Sequence, residues 1–158
     1  MMYSVGLASE FPMGSGRQPV MASPAAREAE RLHVLVAEDN PVNQRLVETL
    51  LNLAGHGCVI VGDGVAAVQA VQVENFDLVL MDIRMPEMSG LEATRAIRSL
   101  GDAYADLPII AMTANSEEDE ADNCAAAGMT GYLPKPIDRQ RFIALLDSIC
   151  RQKASADF

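Results

Sequence analysis

The chain has 158 residues, 49% of them hydrophobic, enough for one domain with a real core. It carries 12 Lys+Arg against 22 Asp+Glu, a net charge of −10, which argues against a nucleic-acid surface or docking on anionic lipid and permits a basic protein partner. No apolar run approaches the roughly 20 residues of a membrane span, and no signal segment opens the chain. Cys58, Cys124 and Cys150 are scattered without CxxC spacing, as expected of reduced thiols in a cytoplasmic protein.

Residues 1–31 differ from the rest. They hold Pro12, Pro19, Pro24, Gly6, Gly14 and Gly16 with no sustained periodicity, which predicts a flexible leader or linker. Leu32–Ala37 reads as a first strand. Asn40 then caps a helix with Pro41 at its first position, an apolar face of Val42, Leu46, Val47, Leu50, Leu51 and Ala54, and Gly55 at its end. Cys58–Val61 is a second strand, followed after Gly64 by a helix burying Val65, Val68 and Val71. Asp77–Met81 is a third strand, and a helix starting near Ser89 and Gly90 turns Leu91, Thr94 and Ile97 inward. Leu107–Met112 is a fourth strand. Its helix begins at Asn115 or Ser116, with acids in the first turn, where negative charge suits the helix dipole. Thr130–Leu133 is a fifth strand, and Asp138 caps a last helix with Phe142, Ile143, Leu146 and Ile149 inward. A frayed tail is expected over 152–158.

Strand–helix alternation with short loops predicts an α/β fold: a flavodoxin-like (βα)5 three-layer sandwich, its parallel sheet ordered 2-1-3-4-5. The strand ends then matter. Leu32–Ala37 runs into Glu38 and Asp39, Leu78–Met81 into Asp82, Ile109–Met112 into Thr113, and Tyr132–Pro134 into Lys135. Parallel strands bring these residues to one sheet edge, where open α/β folds build their sites. Clustered carboxylates repel one another unless a cation sits among them, and hard oxygen ligands suit Mg²⁺. An Asp nucleophile, a hydroxyl and an ammonium beside such an ion are the parts that phosphoryl transfer needs.

The stretches VLVAEDNPVNQ, LVLMDIRMPEMSG, PIIAMTAN and GYLPKPI resemble the receiver domains of two-component response regulators, over about residues 32–150. The spelling is most like receivers attached to hybrid sensor histidine kinases. The resemblance implies that Asp82 is the phosphoacceptor, taking a phosphoryl group from a phosphohistidine on a histidine kinase or histidine phosphotransfer domain. It implies Mg²⁺, with Mn²⁺ as a substitute, held by Asp39, Asp82 and the Arg84 backbone carbonyl, with Glu38 helping directly or through water. Thr113 hydrogen-bonds a phosphoryl oxygen and Lys135 pairs with another. The resemblance also implies a cis Lys135–Pro136 bond. Thr113 and Tyr132 form a switch that reshapes the face of the fourth helix, fifth strand and fifth helix, a face through which some receivers form weak homodimers. Arg84 and Asn115 tune hydrolysis, Arg84 by shielding the acyl phosphate or contacting the donor.

The resemblance makes the domain 32–151 a signalling receiver that catalyses its own phosphorylation and dephosphorylation, rather than an enzyme acting on other substrates. The competing class is a Mg²⁺-dependent phosphatase with an aspartyl intermediate. Such enzymes place a second Asp two residues after the nucleophile, where this chain has Arg84, which cannot shuttle a proton. GDGVAA at Gly62–Ala67 matches a dinucleotide fingerprint. It is rejected because Asp63 would repel a pyrophosphate and because the motif follows the second strand rather than the first. A docking surface for the donor is expected near Pro41, Asn43, Gln44 and Pro136 at the site mouth, the alternative for Asn43 and Gln44 being plain solvent-facing helix residues. No output segment follows Arg151 and no kinase core precedes Leu32, so the expectation is either a free single-domain regulator or a fragment of a hybrid kinase with residues 1–31 as its linker; the motif spelling favours the fragment, from the cytoplasmic side of a membrane-bound protein.

Overall fold

Strand and helix alternate from end to end of the domain. The computed structural model describes residues 31–114 and 117–156; the rest of the expected leader, and Asn115, lie outside the described residues. The elements are β1 His33–Ala37, α1 Pro41–Leu53, β2 Gly57–Val61, α2 Gly64–Val73, β3 Leu78–Asp82, α3 Gly90–Arg98, a 3₁₀ turn Asp102–Tyr104, β4 Ile109–Thr113, α4 Glu117–Ala127, β5 Gly131–Pro134 and α5 Arg139–Ala156.

The strands form a five-stranded parallel sheet in the order β2-β1-β3-β4-β5, the flavodoxin-like order that the alternation predicts. Parallel strands are covered on both faces, so their sequences are nearly continuous apolar runs. The period of two then sorts each run into two cores. Val34, Val36, Leu78, Leu80, Ile110, Met112 and Leu133 pack with Val47 and Leu51 of α1 and Phe142 and Leu146 of α5. Leu35, Ala37, Val79, Met81, Ile109 and Ala111 pack with Ala67 of α2, Ala93 and Ile97 of α3 and Cys124 of α4. Each fully buried Val, Leu, Ile, Phe or Met side chain among them contributes about 1.5–3 kcal/mol.

Local signals set the helix starts. Asn40 Oδ1 accepts the Val42 and Asn43 N–H groups, with Pro41 in the first turn as expected. Ser89 and Glu92 form a reciprocal capping box on α3. Gly90 has a second role. A Cβ there would meet the Asp82 carbonyl oxygen at 2.2 Å, so only glycine lets α3 start against the end of β3.

The helix faces differ in part from the sequence reading. Val42 and Leu46 are exposed on α1, and the buried stripe is Val47, Leu50 and Leu51. Val47, Leu50 and Leu51 span one side of the helix, and at about 100° per residue Leu46 and then Val42 fall off its edge. On α2 the buried set is Gly64, Ala67 and Val71, which turns Val65 outward. Where fraying is expected after Arg151, α5 continues to Ala156. Lys153 anchors that last turn by donating to the Arg31 carbonyl at 3.2 Å and the Asp77 carboxylate at 3.3 Å.

Candidate functional site

β3 ends on Asp82 and β4 on Thr113, while Glu38 and Lys135 each stand one residue past β1 and β5. Register makes these ends meet: Ala37 pairs with Met81, Asp82 with Met112 and Thr113 with Pro134. Strand parity does the rest. Glu38, Asp82 and Lys135 continue the alternation of Val36, Leu80 and Leu133, so all three fall on the α1/α5 side.

The geometry follows. The Lys135 ammonium lies 2.9 Å from Glu38 Oε1 and 3.3 Å from Asp82 Oδ2. Glu38, Asp39 and Asp82 each offer a carboxylate oxygen, and these oxygens lie within 4.8 Å of one another. Glu38 is fully buried, Asp82 is nearly so, and Asp39 is exposed at the mouth. The Lys135–Pro136 peptide is cis, as the resemblance implies. Thus the structure brings together Glu38, Asp39, Asp82 and Lys135.

Charge is unevenly shared among them. Burial, together with hydrogen bonding to and repulsion by Glu38, pushes the Asp82 carboxyl up to about 6, against the pull of Lys135. Burial also opposes ionisation of Glu38, but hydrogen bonds from Lys135 and the Asn40 N–H hold it below the ordinary carboxylate range. Burial disfavours the Lys135 cation too, yet both carboxylates hold its affinity for the proton above the ordinary lysine value. One ammonium therefore faces three carboxylates. Such a hard, oxygen-only, under-neutralised set fits a small divalent cation such as Mg²⁺.

The other candidates sit around this centre. Thr113 is buried at the end of β4, beside the Asp82 strand. Tyr132 is half-buried and packs on the α2–α4 side, the same sheet face as Ala111 and, by parity, Thr113. Arg84 is exposed, and its N–H donates to Asp82 Oδ1 at 3.4 Å. It lines a cleft of about 500 Å³ with Asp39, Ile83, Met85, Ser89 and Leu91. Sequence spacing does not place the apolar members of that lining, Ile83, Met85 and Leu91, at the site, although all three lie within nine residues after Asp82. Gln44, expected at the docking surface, instead reaches inward and donates from Nε2 to the Glu38 carbonyl at 2.6 Å. The GDGVAA loop has a structural explanation: Asp63 Oδ1 accepts the Ala66 N–H at 2.8 Å, and a Cβ on Gly64 would meet the Met88 carbonyl oxygen at 2.4 Å. A carboxylate thus occupies the helix end that a pyrophosphate would need.

Known proteins converge on the same reading. The response regulator receiver domain family matches residues 34–147. The sensor protein GacS of Pseudomonas syringae pv. syringae is 47% identical over 110 residues, which cover 68% of this chain and 12% of GacS. Probable histidine kinase 1 of Oryza sativa subsp. indica is 37% identical over 148 residues, 75% of this chain and 15% of that protein. The chain thus spans less than a fifth of the length of either relative. Among solved structures, the receiver domain of a sensor histidine kinase from Pseudomonas aeruginosa, with a magnesium ion coordinated in its active-site cleft, is 38% identical. It superposes with a TM-score of 0.70 over 76% of this chain and 98% of that one.

Proposed function

This chain belongs to the response regulator receiver domain family, and from that premise we propose that Asp82 takes a phosphoryl group from a phosphohistidine on a partner protein. The observation that carries the assignment is the meeting of Asp82 with Glu38, Asp39 and Lys135 at one sheet edge. A carboxylate oxygen of Asp82 forms the new P–O bond as the P–N bond to the donor imidazole breaks, and the nitrogen keeps that electron pair. Asp82 must be ionised to attack, and a value near 6 leaves it largely so at neutral pH.

Asp39, Asp82 and the Arg84 backbone carbonyl would hold Mg²⁺. Glu38, whose two oxygens accept from Lys135 and the Asn40 N–H, would help directly or through water. When bound, the ion neutralises carboxylate and phosphoryl charge and so lets anions gather; Mn²⁺ would serve in its place. Lys135 supplies the second positive charge and moves from Glu38 and Asp82 onto a phosphoryl oxygen. Thr113 donates its hydroxyl to another. Transfer of this kind rests on positioning and charge neutralisation, which these side chains provide.

Drawing Thr113 toward the phosphoryl group frees space on the sheet face that it shares with Tyr132, and the tyrosine ring moves into it. This shifts the surface built by α4, β5 and α5. The equilibrium moves only as far as phosphate binds the two states differently. The donor is a histidine kinase or a histidine phosphotransfer domain, docking over the exposed Val42 and Leu46 beside Pro41 and Pro136. Weak self-association would use the α4–β5–α5 face. No helix among the described residues is long and apolar enough to cross a membrane, and a cytoplasmic setting suits a phosphorelay partner. Profiling phosphotransfer from a panel of phosphorylated kinases and histidine phosphotransfer domains tests the reading. Label should move rapidly from at least one donor to wild type and never to Asp82→Asn; label on both proteins alike contradicts it.

A further inference from the structure

We propose that Gln44 is a positioning residue that sets the direction of the Asp39 carboxylate toward the cation; the proposal rests on the reading of Asp39 as a metal ligand. Gln44 lies in α1, beyond the turn that carries the acidic pair. Its backbone N–H donates to the Asn40 carbonyl at 2.9 Å, and its side-chain amide folds back to donate to the Glu38 carbonyl at 2.6 Å. That carbonyl belongs to the planar peptide unit leading into Asp39. Fixing its oxygen fixes the plane, and the plane sets where the next Cα and side chain point.

Every other polar group of Glu38 is also tied. Its N–H donates to the Val61 carbonyl at 3.0 Å, Oε1 accepts from Lys135 and Oε2 accepts from the Asn40 N–H. Glu38 is therefore a rigid base on which the exposed Asp39 stands. The nearby cap cannot do the work of Gln44: Asn40 Oδ1 already accepts from Val42 and Asn43, and Pro41 has no N–H. Gln44 supplies the donor that locks the turn from the helix side. Groups that orient a ligand in this way typically govern affinity for the metal by about 10-fold or more.

The test is Mg²⁺ affinity, read by titrating the backbone amide resonances of residues 38–40 and 82–84 in the intact chain. Gln44→Met keeps the length and removes the donor; Gln44→Ala removes the side chain. Both should fold, with resonances away from α1 and the 38–40 turn unchanged, and both should bind Mg²⁺ about 10-fold more weakly. At saturating Mg²⁺ their phosphorylation rate with acetyl phosphate should return to the wild-type value, a split that a general loss of structure would not produce. Wild-type affinity in both variants overturns the proposal, and so does a rate that stays low at saturating Mg²⁺. Wild-type protein with no Mg²⁺-dependent shifts overturns the metal reading itself, an outcome distinct from failure of Gln44 alone.

Discussion

Lys135 sits closer to Glu38 than to Asp82: its ammonium is 2.9 Å from the glutamate oxygen and 3.3 Å from the aspartate. Glu38 is the more buried of the two carboxylates and takes the stronger contact. Asp82 is left partly uncompensated, the condition that favours both proton and cation binding there.

The pH dependence of stability follows from this imbalance. Asp82 binds its proton more tightly folded, at about 6, than unfolded, near 3.8. Its contribution to stability is fully present below pH 3.8 and is lost as pH rises through about 6. The loss is about 3 kcal/mol. In EDTA, Asp82→Asn should therefore melt higher than wild type at pH 8, with the difference vanishing below pH 4. Thermal melts of the two proteins across pH check this, and Asp82→Asn in a Glu38→Gln background separates the opposite contribution of Glu38, whose affinity for the proton is lowered. Mg²⁺ should raise the wild-type melting temperature more than that of Asp82→Asn.

Removing the ammonium strands a buried charge. Lys135→Met should cost about 1–3 kcal/mol, the penalty of leaving Glu38 without its donor. The double variant with Glu38→Gln should recover much of that loss in urea unfolding. Additive losses would show that the pair contributes nothing. Either way Lys135→Met should phosphorylate slowly, since it lacks the second positive charge.

Most of this centre was legible in the sequence. Strand-end residues in a parallel sheet must share an edge, so Glu38, Asp39, Asp82, Thr113 and Lys135 could be gathered from hydropathy runs alone. Orientation was less accessible. Periodicity shows that α1 has an apolar face, but not that only Val47, Leu50 and Leu51 of it are buried while Val42 and Leu46 stay exposed. The inward reach of Gln44 depends on the shape of the turn at Glu38–Pro41, which no spacing rule encodes. The left-handed backbone of Glu87, at φ 67, was equally invisible.

Glycine at position 90 is a steric requirement of the site. Gly90→Ala places a Cβ 2.2 Å from the Asp82 carbonyl, which must give way. A loss of about 1–3 kcal/mol in urea unfolding is expected. Mg²⁺ affinity should fall with it if, as proposed, Asp82 on the displaced backbone is a ligand. Wild-type stability in Gly90→Ala would show that the close approach relaxes freely.

Arg84 overhangs the cleft from its exposed position. If its guanidinium shields the acyl phosphate, Arg84→Ala should shorten the aspartyl-phosphate lifetime by up to about fivefold, the rate equivalent of one exposed charge contact. An unchanged lifetime rules out shielding, and phosphotransfer from a protein donor then separates donor contact from an exposed arginine that does little.

The central claim is that Asp82 is a covalent phosphoryl acceptor made competent by a cation and Lys135. Intact-mass measurement after incubation with acetyl phosphate tests it most directly. Wild type with Mg²⁺ should gain the mass of one phosphoryl group, and wild type in EDTA and Asp82→Asn with Mg²⁺ should gain none. An unmodified wild-type chain, or one that hydrolyses many equivalents of acetyl phosphate without holding any, would contradict it.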